Sequence, residues 1–195
     1  EAILREALAP FLAALPEKLK QHLEALMAMD VEEMIKALPL DAVVLIGGCD
    51  KTIPAELMGA ISANMPAIVV NVGSMLAGKH EGARLGACTD CRRLWAAYRA
   101  GTLDGPDLNR AHDQLMPTSG TCMVMGTAST MACMAETLGF MLPGTATAPA
   151  VSSDRWRFAE ATGKRAAEMA VAGGPLPRDI LTKSALRNAS VVRSE

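Results

Sequence analysis

Two short runs of apolar, β-branched residues stand on either side of a stretch with helical spacing. The runs are DAVVLI (Asp41 to Ile46) and AIVVNV (Ala67 to Val72), and the stretch between them is PAELMGAISAN (Pro54 to Asn64). Apolar runs without polar alternation predict strands covered on both faces. Proline in the first turn suits a helix start, because its missing N–H would have no partner there. The order strand, helix, strand predicts a parallel βαβ unit with a right-handed crossover. The predicted fold class is therefore α/β, a parallel sheet flanked by helices.

The same periodicity predicts helix over most of the first 38 residues, broken or restarted at Pro10 and Pro16. Further helices are predicted at CRRLWAAYRAGTLD, closed by Gly101, and, after a loop at Pro117, up to Leu138 with Gly139 as its stop. DGPDLNRAHDQL predicts a linker and short helix, and WRFAEATGKRAAEMAVAG another helix. GSMLAGKHEGARLGACTD is Gly-rich and reads as irregular. The expected organisation is a helical segment over 1–30 followed by an α/β domain over 31–195.

Composition narrows the class. The chain has 195 residues, half of them hydrophobic, with 3% aromatics and 13 methionines, so its core is aliphatic, with Met filling irregular gaps. A net charge of −2 gives no electrostatic footprint for nucleic acid or an anionic membrane. No apolar run reaches the ~20 residues a membrane span needs, and the charged N-terminus does not read as a signal peptide. Five cysteines, Cys49, Cys88, Cys91, Cys122 and Cys133, cannot all pair with one another. The expectation is a cytoplasmic protein whose thiols stay reduced or bind metal.

The candidate chemistry begins at GGCDKTIP, between the first strand and the helix. Ligands of open α/β sheets bind beyond the carboxyl ends of the strands. A helix start offers free N–H groups and positive potential, which favour a thiolate. Cys49 can there be a metal ligand or a nucleophile; Asp50 suits a hard cation such as Mg²⁺. Lys51 can pair with an anionic substrate or, if modified to carry negative charge, become a ligand itself. The competing reading is a buried Cys49 with Asp50 and Lys51 as a solvated cap. Cys122 stands at a second loop-to-helix junction, 73 residues on, in PTSGTCMVMG. Two cysteines are too few for a closed metal site, which takes about four protein ligands.

The remaining candidates carry weaker signals. CTDC (Cys88 to Cys91) has the spacing of a redox pair or half a zinc site, but without a second CxxC or a preceding strand it reads as auxiliary. Cys133 reads as helix packing. His80, in a Gly-rich loop, is a surface residue or a substrate contact. Ser119, Thr121, Thr127 and Ser129 read as caps and packing groups, Ser119 and Thr121 also as substrate contacts. Arg92 and Arg93 are solvated, salt-bridged or available to a carboxylate.

Taken together, CDKTIPAELMG, the Gly-rich stretch PAIVVNVGSMLAGKHEGARLGACTD, SGTCMVMGTASTMACMAETLGFMLPGTA and DRWRFAEATGKRAAEM resemble one family. It is the dehydratase family of dihydroxy-acid dehydratase, 6-phosphogluconate dehydratase and the aldonic sugar-acid dehydratases. The resemblance covers roughly Val31 to Val192, and CTDCRR is closest to the sugar-acid branch, such as arabinonate or xylonate dehydratase. It implies a hydro-lyase that dehydrates a 2,3-dihydroxy carboxylic acid, here a sugar acid, to a 2-keto-3-deoxy acid. It also implies an iron–sulfur cluster, [2Fe–2S] in the sugar-acid branch with [4Fe–4S] as the alternative, together with Mg²⁺. Cys49 and Cys122 match two cluster ligands; Asp50 matches a Mg²⁺ ligand, and Lys51 a catalytic lysine that can be carbamylated to bind the same ion. The family's upstream cluster cysteine with its acidic Mg²⁺ ligand, and the serine base of its C-terminal domain, have no match here. The resemblance thus implies the N-terminal domain of a two-domain dehydratase, with homodimers or homotetramers as the assembly. The alternatives are dihydroxy-acid dehydratase of branched-chain amino-acid synthesis, a non-catalytic α/β module binding small anions or assembling with partners, and a thiol redox protein using Cys88 and Cys91.

Overall fold

The structure is a computed structural model that describes residues 17–193. The predicted helix breaks at Pro10 and Pro16 lie outside those residues. Helix α1 (Glu17–Ala37) leads into strand β1 (Val43–Gly47), helix α2 (Thr52–Ala63) and strand β2 (Ala67–Asn71). The strands are parallel, in register from Val43 opposite Ala67 to Gly47 opposite Asn71. The α/β class and the βαβ unit are thus observed, in a two-stranded sheet.

The apolar side of α2 drives this packing. Ile53, Leu57 and Ala60 are buried with Leu45 and Val69 of the strands and Ile35 of α1. Gly59 lets α1 and α2 approach closely: a Cβ there would sit 2.7 Å from the carbonyl oxygen of Ala28. Asn64 takes the left-handed conformation that ends α2. From the other side helix α5 (Thr127–Leu138) contributes Ala132 and Ala135 to the same core. It stops at Gly139, φ +98°, and the Phe140 carbonyl then accepts a bond from Val69 N–H at 2.7 Å, pinning this segment to β2.

The Gly-rich stretch read as irregular holds a hairpin of β3 (Gly78–His80) and β4 (Ala83–Leu85). Glu81 and Gly82, at φ +50° and +81°, form its two-residue turn. The strands escape a search for apolar runs because they are three residues long and mostly polar or small. β4 runs into helix α3 (Ala87–Arg99), so the CTDC segment does follow a strand, contrary to the sequence expectation. α3 packs against helix α4 (Gly105–Asp113) around a second cluster of Leu85, Leu94, Leu108, Ala111 and Leu115. Helices α6 (Ser153–Ala172), α7 (Pro177–Ile180) and α8 (Lys183–Arg193) complete the described fold. Among the described residues, no helix is long and apolar enough to cross a membrane.

Candidate functional site

The turn after β1 and the loop before α5 open on one cleft of about 420 Å³, lined among others by Cys49, Asp50, Thr121, Cys122, Val124 and Thr127. The cleft lies beyond the carboxyl end of β1, where a parallel sheet presents loops and helix starts. Gly126, Thr127 and Ala128, at the beginning of α5, form part of its wall, and α2 begins just past Asp50. Two helix N-termini therefore converge on it with unsatisfied N–H groups and positive potential.

Cys49 is exposed, which overturns the reading of it as a small buried hydrophobe. Its thiol donates to Asp50 Oδ1 at 3.2 Å, and the Thr127 hydroxyl donates to Oδ2 at 2.9 Å. Burial opposes the charge on Asp50, yet these two bonds and the neighbouring Lys51 hold its carboxyl below the usual range. Asp50 is therefore ionised at neutral pH and ties the turn to the start of α5 across 77 residues of sequence.

Lys51 takes another direction. It caps α2 through its backbone, its side chain does not line the cleft, and its ammonium lies 3.5 Å from Glu24 Oε2 of α1. The loop carrying Cys122 is held from behind: Thr121 N–H donates to the Gly73 carbonyl, and the Thr121 carbonyl accepts from Met75 N–H, both at 2.9 Å. The Thr121 hydroxyl is turned back to the Gly73 carbonyl at 3.3 Å. Ser119 is exposed and His80 is half-buried at the end of β3; neither lines the cleft. Cys133 is half-buried in α5, where burial and the charge of Glu136 push its thiol pKa up. Arg93 pairs with Asp90.

The donor set divides by softness. Two thiols face the cleft beside one ionised carboxylate, so iron or another soft metal suits Cys49 and Cys122, and Mg²⁺ suits Asp50. The set is incomplete as it stands: among the described residues no group of three or more His, Cys, Asp or Glu side chains is placed to hold a metal ion.

One group here escaped sequence reasoning. Glu56 is the lone carboxylate in an otherwise apolar helix, and its Oε2 is buried without a hydrogen bond. It presses on Gly47, where a Cβ would lie 2.5 Å from Oε2, and burial raises its pKa from 4.5 to about 7. The folded chain therefore holds this proton more tightly than the unfolded chain. Its contribution to stability is fully present below pH 4.5 and declines until about pH 7. A fully dry site would make this worth about 3 kcal/mol, and solvent at a half-buried carboxyl trims it to about 1–2 kcal/mol. Glu56→Gln should flatten that part of the pH–stability profile and raise stability at pH 8 by about 1–2 kcal/mol in denaturant titrations. An unchanged profile would show that Glu56 is solvated.

The chain matches the family profile described as dihydroxy-acid/6-phosphogluconate dehydratase, N-terminal, over residues 17–194. It is 51% identical over 164 residues to L-arabonate dehydratase of Azospirillum brasilense, covering 84% of this chain and 28% of that protein. Dihydroxy-acid dehydratase of Clostridium botulinum is 40% identical over 164 residues, 84% of this chain and 29% of that protein. Dihydroxy-acid dehydratase of Methanospirillum hungatei is 44% identical over 162 residues, 83% of this chain and 29% of that protein. The chain thus spans less than a third of the length of these relatives.

Proposed function

The chain belongs to the dihydroxy-acid/6-phosphogluconate dehydratase family, and from that premise we propose that it carries part of the active site of a sugar-acid dehydratase. The reaction would remove water from a 2,3-dihydroxy carboxylate, an aldonate, to give a 2-keto-3-deoxy acid. One observation carries this reading: the adjacent Cys49 and Asp50 and the distant Cys122, 73 residues after Cys49, open on a single cleft. The 51% identity to an L-arabonate dehydratase supports the sugar-acid branch over the branched-chain one.

Cys49 and Cys122 would hold an iron–sulfur cluster, of the [2Fe–2S] type, and Asp50 would hold Mg²⁺. Iron bound there supplies a Lewis acid for the hydroxyl that leaves, and Mg²⁺ neutralises charge at the carboxylate end. The chain's own residues prepare the site. The helix starts of α2 and α5 attract the anionic substrate. Thr127 keeps Asp50 aimed at the cleft. Thr121, bonded to Gly73, keeps Cys122 facing the turn. Lys51 would join the Mg²⁺ site as a carbamate only after leaving Glu24.

The test uses the full-length gene product, reconstituted anaerobically with iron and sulfide. It should be brown and should release a 2-keto acid from an aldonate in a Mg²⁺-dependent reaction. Cys49→Ser and Cys122→Ser should each lose nearly all bound iron. Wild-type iron content in both variants, or an iron-free reconstituted protein, would sink the proposal. Saturable binding of sugar acids without turnover would favour a non-catalytic anion-binding module instead.

A further inference from the structure

The CTDC segment meets the cleft at Thr89. That residue lines the cleft, whereas Cys91, two residues on, is turned about 200° around α3 and faces α4. There its sulfur lies 4.0 Å from Nε2 of His112, in the last turn of α4. The side chains proposed to hold metal come from the turn after β1 and the loop before α5. The start of α3 is thus a third element at the cleft, with no metal to hold.

We propose that Thr89 is a specificity residue: its hydroxyl hydrogen-bonds a substrate hydroxyl beyond C3, which a sugar acid has and a branched-chain dihydroxy acid lacks. The inference rests on the sugar-acid dehydratase reading and adds to it the group that reads the far end of the substrate.

The polar groups of the cleft carry it first. Cys49, Asp50 and Cys122 belong to the metal sites. Three threonines line the cleft, Thr89, Thr121 and Thr127. The Thr121 hydroxyl donates to the Gly73 carbonyl and the Thr127 hydroxyl to Asp50. The Thr89 hydroxyl has no hydrogen bond among the described residues. Val124 and Ala128 add only alkyl surface to the lining. Thr89 is therefore the threonine whose hydroxyl still has a proton to give, and it can accept as well. Apolar clefts orient their ligands through a few such groups.

The placement of α3 carries it second. Asp90 accepts from Gly86 N–H at 2.6 Å and from Arg93 Nε at 3.0 Å, which fixes the first turn around Thr89. Leu94 anchors the helix in the second apolar cluster. A Cβ on Gly86 would lie 3.3 Å from Val124 Cγ2, so the start of α3 abuts the loop that carries Cys122. Thr89 is thus held on a rigid element beside the reacting end of the site. Metals that grip the carboxylate, C2 and C3 leave the remaining carbons to other walls. A hydroxyl there is matched by Thr89, and an alkyl group leaves Thr89 unpaired. Thr89 is exposed, so water offsets part of that penalty and the discrimination is about 10-fold.

The experiment uses the full-length gene product reconstituted with iron, sulfide and Mg²⁺. Its probes are L-arabonate, the acid named for one relative, and 2,3-dihydroxybutanoate, which has no hydroxyl beyond C3. Thr89→Val should lower kcat/KM for L-arabonate by about 10-fold, mainly through KM, and leave that for 2,3-dihydroxybutanoate within about twofold. Thr89→Ser should keep L-arabonate within about threefold of the parent, and both variants should bind iron as the parent does. A parent active on L-arabonate whose Thr89→Val variant is unchanged would overturn the assignment of Thr89 and leave the dehydratase reading standing. Equal losses on the two acids, or loss of iron in Thr89→Val, would overturn it too, by showing that Thr89 supports the site rather than reads the substrate. An iron-loaded parent that turns over neither acid would sink the dehydratase reading and this inference with it.

Discussion

Arg155→Met is expected to lower the unfolding free energy by about 3–5 kcal/mol. The Arg155 side chain is 7% exposed, and its guanidinium serves three backbone carbonyls: Asn71 at 2.6 Å, Thr145 at 2.9 Å and Ala148. Burial disfavours its charge and lowers its pKa, and Nε has no partner among the described residues. The buried cation is tolerated because three acceptors from separate segments converge on it. Methionine keeps the length and apolar stem but orphans all three carbonyls. Arg155→Lys keeps the charge without the planar fork, so roughly half the loss is expected. Urea unfolding of the three proteins reads both numbers, and a loss below 1 kcal/mol for Arg155→Met would show that water replaces the guanidinium at no cost.

The network reaches the cleft. Asn71, whose carbonyl Arg155 holds, donates from its side chain to the Ala146 carbonyl and accepts from Gly73 N–H, each at 3.0 Å. Gly73 in turn accepts from Thr121, the residue before Cys122. A buried cation at the start of α6 therefore fixes the far wall of the site through two short links. Weakening it should disturb Cys122 before Cys49, because Cys49 rides on the separate β1–α2 junction.

What the residues announced and what they concealed follow from this. The strands and α2 were legible because each buries an uninterrupted apolar face, and the burial is local to the segment. Cys49 and Asp50 were legible as residues just ahead of a helix, whereas Cys122 lies in the loop five residues before α5 rather than at its start; that they share one cleft depends on the 73–121 contact, which no local pattern encodes. Arg155 was not legible: in SDRWRFAE it looks like any charge on a solvated face, and only the fold surrounds it with carbonyls. Glu56 left a faint signal, a single acid in an apolar helix. Lys51 adjoins Asp50 in sequence but leaves the cleft because α1 offers it Glu24. His112 had no local mark, since its relation to Cys91 arises from the packing of α3 on α4.

Gly120→Ala should cost about 2–5 kcal/mol and displace Cys122. Gly120 sits at φ +130°, and a Cβ there would fall 2.4 Å from the Met75 nitrogen and 2.6 Å from the Ser74 carbonyl carbon. Both neighbours are backbone, so no rotamer change relieves the clash. Instead the bridge between Ser74 and Thr121 must open, and with it the two bonds that hold the Cys122 loop. Gly101→Ala is the control, at φ +73° with nothing within 4 Å of the added carbon. It suffers the backbone strain of a left-handed residue alone, about 1 kcal/mol, so the difference between the two variants reports the crowding at the loop together with the extra strain of φ +130°. Thiol labelling read by mass spectrometry should show Cys122 reacting faster in Gly120→Ala while Cys49 is unchanged. Equal losses of stability in the two variants, with Cys122 labelling as in the parent, would mean that the loop holds its place without the close backbone crossing, and that Cys122 is positioned by α5 alone.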